Sequence, residues 1–140
     1  TPTAPAHWDF ERGLIIANED VLAEGADFGV AIPAYSLKAN GNRLLIYSIM
    51  SCSSVESTFR FLLNGQGTPI ITTKSTMYLI IEAMRTSATT ATCIVNLVRD
   101  SFVPLSTFSY LTGLDFTASQ EISIEVGSLI TIVSVAIQLM

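Results

Sequence analysis

Charge is scarce in this chain. Of 140 residues only 14% are Asp, Glu, Lys or Arg, against about 25% in an ordinary globular chain. The charge present leans acidic, with seven basic side chains against twelve carboxylates and a net charge of −5. Such a chain lacks the basic face that sequence-independent binding to nucleic acid requires. Histidine occurs once and cysteine twice, which leaves little material for nucleophilic catalysis or a metal cage. Long apolar runs are missing too. The longest, Leu129 to Met140, is interrupted by Thr131, Ser134 and Gln138 and falls short of the roughly 20 residues of a membrane-spanning helix. The opening TPTAPAHWDF has neither the basic nor the apolar segment of a secretory signal, and its initial Thr fits removal of an initiator Met.

What replaces charge is hydroxyl and hydrocarbon. Fifteen serines and fifteen threonines outnumber the charged side chains, and 49% of residues are hydrophobic. Mean hydropathy is +0.51, so disorder is excluded. Threonine suits a half-exposed pleated surface, whereas a helical surface would carry Lys, Glu, Gln and Arg. The balance points to an all-β chain. Its apolar share implies that part of the outer surface is covered as well, most cheaply by neighbouring subunits. At 15.1 kDa the chain is one domain, able to bury roughly two thirds of its unfolded surface.

Along the chain, proline-bearing residues 1–11 read as an extended arm, with Pro2 and Pro5 opposing a packed element. Residues 12–140 read as one β-domain. Gly13 to Ala17 is the first strand-like run, followed by the acidic turn-like Asn18 to Asp27. Phe28, Val30 and Ile32 alternate with Gly29 and Ala31 until Pro33. Tyr35 to Ala39 is a further short run, closed by the tight-turn signal Asn40-Gly41-Asn42. RLLIYSIMS (43–51) is a buried strand. Ser57 to Asn64 places Phe59, Phe61 and Leu63 on one face, and Asn64-Gly65-Gln66-Gly67 turns the chain. Pro69 to Thr73 is a short edge piece. Tyr78 to Arg85 and Thr90 to Arg99 form a hairpin about the polar tip Thr86-Ser87-Ala88-Thr89. Glu, Ala and Met lend YLIIEAMR some helical propensity, which its β-rich neighbours outweigh. After Ser101 to Tyr110 comes a looser stretch around Thr112-Gly113. Ile122, Ile124 and Val126 point inward, with Glu121, Ser123 and Glu125 outward. The last strand puts Val133, Val135, Ile137 and Leu139 on one face. About eight or nine strands with turns every ten to fifteen residues are the mark of a sandwich or barrel.

Candidate chemistry is thin. His7 has only Asp9 as a close titratable neighbour and reads as a solvated arm residue. Cys52, among serines, has no histidine to activate it, and Cys93 reads as a small buried hydrophobe; a disulfide between them is the less favoured alternative. Six of the carboxylates (Asp9, Glu11, Glu19, Asp20, Glu24, Asp27) crowd the first 27 residues. They match no calcium loop and form an acidic face able to meet a basic partner surface. No phosphate loop is present, because NGQG lacks the following lysine and helix. Arg43, Arg60, Arg85 and Arg99 flank strands, as solvated cations or in interface ion pairs. No catalytic, cofactor-binding or metal site is expected, so the protein is not read as an enzyme. Two aromatic sets are candidates for binding. Trp8 and Phe10, with Pro2 and Pro5, make a partner-docking arm, since exposed aromatics on an arm gain by docking. Phe108, Tyr110 and Phe116, with Phe102, either pack over the end of the sandwich or form a loop aromatic patch.

One segment resembles a known family. Ile32-Pro33-Ala34-Tyr35-Ser36-Leu37-Lys38-Ala39-Asn40-Gly41-Asn42-Arg43-Leu44-Leu45-Ile46 is similar to a segment that opens a jelly-roll domain in tailed-bacteriophage virion proteins. Thr58 to Gly65, Arg85-Thr86-Ser87 with Thr89-Thr90, and the final Thr/Ile/Val-rich strand agree in kind. The likeness covers roughly residues 28–140; the arm lies outside it, and no shaft repeat accompanies it. The resemblance implies an antiparallel jelly-roll-like β-sandwich of about eight strands, without cofactor. It implies a homo-oligomeric capsid decoration (cement) protein, commonly a trimer, that is made in the host cytoplasm and binds the major capsid protein on the virion surface. The alternative it carries is a receptor- or carbohydrate-binding head of a tail or head fibre. Neither role involves nucleic acid or membrane.

Overall fold

A computed structural model describes residues 14–18, 21–52, 57–68, 70–73, 76–99 and 105–139. Eleven strands run through them: β1 (Leu14–Asn18), β2 (Phe28–Ile32), β3 (Arg43–Cys52), β4 (Ser57–Leu63), β5 (Gln66–Gly67), β6 (Ile71–Thr73), β7 (Met77–Arg85), β8 (Ala91–Arg99), β9 (Leu105–Leu111), β10 (Gln120–Val126) and β11 (Ile130–Leu139). They form two antiparallel sheets, a six-stranded one in the order β1-β11-β3-β7-β8-β9 and a five-stranded one in the order β2-β10-β4-β5, with β6 also on β4. The fold is all-β, a sandwich, as the hydroxyl-rich composition and strand spacing indicate. No helix lies among the described residues, so none there is long and apolar enough to cross a membrane.

The core lies between the sheets. Leu44, Ile46 and Met50 of β3 and Leu79 and Ile81 of β7 face Phe59, Phe61 and Leu63 of β4 and Ile122 and Ile124 of β10, all buried. Period-two placement of apolar residues makes this possible, because alternate side chains leave a strand on opposite faces. β10 follows its sequence pattern, with Glu121 outward and Ile122 and Ile124 inward. The β4–β5 turn has both Asn64 and Gly65 in the left-handed region, with φ of 50° and 77°, the type I′ geometry favoured by Asn-Gly. At the β7–β8 tip, Thr86 N–H donates to the Thr90 carbonyl at 3.0 Å and the two hydroxyls meet at 2.8 Å.

Two sequence expectations are corrected. Tyr35 to Ala39 is not a strand; residues 33–42 form a looped crossing from β2 to β3. Tyr35 sits at φ 64°, and the Arg85 guanidinium donates to the Leu37 carbonyl at 2.7 Å, so turn geometry wins over the apolar pattern. The final strand does not keep Val133 on the face of Val135, Ile137 and Leu139. The register of β11 on β3 shifts between Ile132 and Ser134, so Ile130 and Ile132 are buried before the shift and Val135 and Ile137 after it. The extra residue is a β-bulge, which turns the inward parity by one.

Candidate interaction surface

The outer face of the six-stranded sheet carries residues of opposite parity to the core. Register across β3, β7, β8 and β9 aligns Leu45, Glu82, Ile94 and Phe108 in one row and Tyr47, Ile80, Asn96 and Ser106 in the next. On either side run Ile49, Tyr78 and Val98, and Arg43, Met84, Thr92 and Tyr110. Tyr47, Tyr78, Ile80, Val98, Phe108 and Tyr110 are all exposed, Phe108 at 63% and Tyr110 at 60%. Among the described residues of β3, β7, β8 and β9, charge on this face is limited to Arg43 and Glu82, which pair at 3.5 Å while both stay partly exposed. A contiguous apolar surface rimmed by polar groups marks a contact site.

This face has a signal in the sequence. RLLIYSIMS and MYLIIEAMR are apolar at both parities, the pattern of a sheet covered on both sides. Within the described residues nothing covers this second side. The sequence pattern alone does not mark out Tyr47, Ile49, Tyr78, Ile80 and Val98, because only the pairing register places them side by side.

The three aromatics of the proposed patch separate. Phe108 and Tyr110 do not sit in a loop; they share the outward face of β9, two residues apart. Phe116 is buried at 4% exposure, with the Arg85 guanidinium 5.1 Å from its ring centroid, so it packs over the end of the sandwich. Phe102 lies outside the described residues, as do Pro2, Pro5, His7, Trp8 and Phe10 of the arm and Asp9, Glu11, Glu19 and Asp20 of the acidic cluster.

Several other polar groups find partners locally. Arg60 and Glu125 pair at 2.8 Å across β4 and β10, each near two-fifths exposed, beside a surface groove of about 270 Å³; an ion pair this solvated contributes little. Hydrogen bonds from the Thr117 hydroxyl and backbone N–H hold the exposed Asp115 carboxyl below the usual carboxylate range. Burial pushes the Cys93 thiol up to about 12, and neither cysteine is in a disulfide. Among the described residues no group of three or more His, Cys, Asp or Glu side chains could hold a metal ion.

No protein-family model matches the chain, and no curated protein is similar to it in sequence.

Proposed function

We propose that this is a structural protein that works by surface contact: a jelly-roll decoration protein that docks on the capsid lattice of a tailed phage and stabilises the head. The observation that carries the reading is the apolar outer face of the six-stranded sheet, with Tyr78 more than half exposed in one of its flanking rows. Strand order supports the jelly-roll part. β1 lies beside the last strand, β2 beside the last but one, and β3 and β7 continue the first sheet as β4 and β6 continue the second. That nesting is what two interlocked Greek keys produce. The β8–β9 hairpin is then an addition to one sheet.

A fibre-tip receptor-binding head is the second reading, and the exposed neighbours Phe108 and Tyr110 favour it, because stacked sugars use such aromatic platforms. Two measurements separate the readings. Undecorated heads incubated with the protein are expected to take it up saturably, and cryo-electron microscopy to show it at many symmetric positions. Density at appendage ends alone overturns the decoration reading. Tyr78→Lys, which adds charge to the face without touching the core, is expected to cut occupancy at least tenfold, and removal of residues 1–11 to lower it as well.

A further inference from the structure

The sheets end in edges that are mostly blunted. β1 has a register irregularity between Leu14 and Ile16, β2 stops at Pro33, and the far edge of the five-stranded sheet is broken into the two residues of β5 and the three of β6. β9 differs. Its seven residues, LSTFSYL, hold no charge and no proline, and their register on β8 is unbroken. Among the described residues, its backbone bonds to no strand other than β8. Natural sheets protect such edges with lysine, proline, bulges or shortness, and β9 has none of these.

Two independent observations say what fits there. Thr107 and Ser109 lie opposite Val95 and Cys93 on the core side of β9, and both hydroxyl oxygens are buried with no hydrogen-bond partner among the described residues. Buried polar atoms of this kind call for a partner. The strand is also self-complementary about its centre: Leu105 mirrors Leu111, Ser106 mirrors Tyr110 and Thr107 mirrors Ser109 around Phe108.

We propose that β9 pairs antiparallel with β9 of a second copy of this chain, about a two-fold axis at Phe108, joining two six-stranded sheets into one of twelve strands. In that register Thr107 stands opposite Ser109 of the partner subunit, where rotation about χ1 turns each buried hydroxyl toward the other strand and into reach of a cross-strand bond, and Phe108 meets its own counterpart. No like charges are brought together. The edge is about 24 Å long, and a sandwich roughly 20 Å thick presents some 500 Å² on each partner, which reaches the ~1,000 Å² total of a specific interface. The contact is isologous, so it closes as a dimer. This pairing does not rest on the capsid reading, and it differs from the trimer that the family resemblance implies.

The test uses the whole chain. Sedimentation equilibrium at micromolar concentration is expected to give twice 15.1 kDa. In a Cys52→Ser background, oxidation of Phe108→Cys is expected to link two copies. Ser106→Cys is expected not to, because its counterpart lies about 14 Å away in this register. Phe108→Lys is expected to yield a monomer with unchanged far-ultraviolet circular dichroism. Amide exchange of residues 105–111 in the unaltered protein is expected to slow as concentration rises across the association range. A monomeric wild-type chain, a trimer, or an oligomer in which Phe108→Cys links no faster than Ser106→Cys overturns the proposal. An oligomer without the Phe108 link removes only this interface and leaves the contact role of the outer face standing.

Discussion

The Ser48 hydroxyl donates to the Ser134 carbonyl at 2.9 Å. Ser48 is buried on the core side of β3, among leucine, isoleucine and methionine, where an unpaired hydroxyl would be costly. Its acceptor belongs to the bulge of β11, so the one polar residue on that stretch of core face and the one register shift between the two longest strands satisfy each other.

Ser48→Ala is therefore expected to destabilise the fold by about 1–2 kcal/mol, because it removes the donor to a carbonyl next to the bulge. A thermal melt is expected to fall by roughly 3–6 °C for a chain of this size. An unchanged midpoint would mean that the bulge is held by its strand partners alone.

Arg85 ties three segments together. Its guanidinium donates to the Leu37 carbonyl at 2.7 Å and the Ser87 carbonyl at 3.0 Å, and lies over the Phe116 ring. Arg85→Ala is expected to cost about 2–3 kcal/mol in urea denaturation, from charge-assisted bonds and cation–π contact together. Arg85→Lys should recover less than half, since an ammonium cannot fork to two carbonyls. Full recovery by lysine would reduce the role to charge alone.

Asp115 is expected to titrate below an ordinary aspartate in a carboxyl-resolved NMR titration, because Thr117 donates twice to its ionised form. Its folded value lies below its unfolded one. What it contributes to holding the 115–117 turn is thus present at neutral pH and lost as pH falls through the folded value. Thr117→Val removes the larger cause and is expected to move the midpoint back toward the usual range. A midpoint unmoved by that change would assign the shift to the backbone N–H.

Cys93 is expected to resist alkylation in the native protein at pH 8 and to react once the chain is unfolded, since burial disfavours its thiolate. The raised thiol also sets a sign in alkali. Its contribution is intact below about 9 and is lost as pH climbs toward about 12, because the unfolded chain gives up the proton first, at a slope near 1.4 kcal/mol per pH unit. Cys93→Ala is expected to abolish that part of the slope.

Much of the architecture is readable before any coordinates. The strict alternation of residues 121–126, the Asn64-Gly65 turn and the hydroxyl-tipped hairpin at 86–90 are local signals, and local geometry decides them. Three things are not readable. Val133 is apolar like its neighbours, so a one-residue bulge leaves no trace in the pattern. Tyr35 to Ala39 looks strand-like until the Arg85 contact claims its carbonyl. The Phe108–Tyr110 pair appears loop-borne because flanking Pro104 and Gly113 suggest irregular chain, whereas β8 extends it as a regular ladder. The contact face is half legible. Apolar residues at both parities announce a second cover, but the order of strands that brings Tyr47 beside Ile80 and Ile49 beside Tyr78 is a long-range fact.

The rows of Leu45, Ile49, Ile80, Ile94 and Val98 have a thermal consequence. With Arg43 and Glu82 already paired to each other, any complex made through this surface has little Coulombic attraction to be screened, and added sulfate tightens it rather than loosens it. Apolar hydration instead weakens such contacts on chilling. Particles or oligomers held this way would come apart in the cold room sooner than in strong brine.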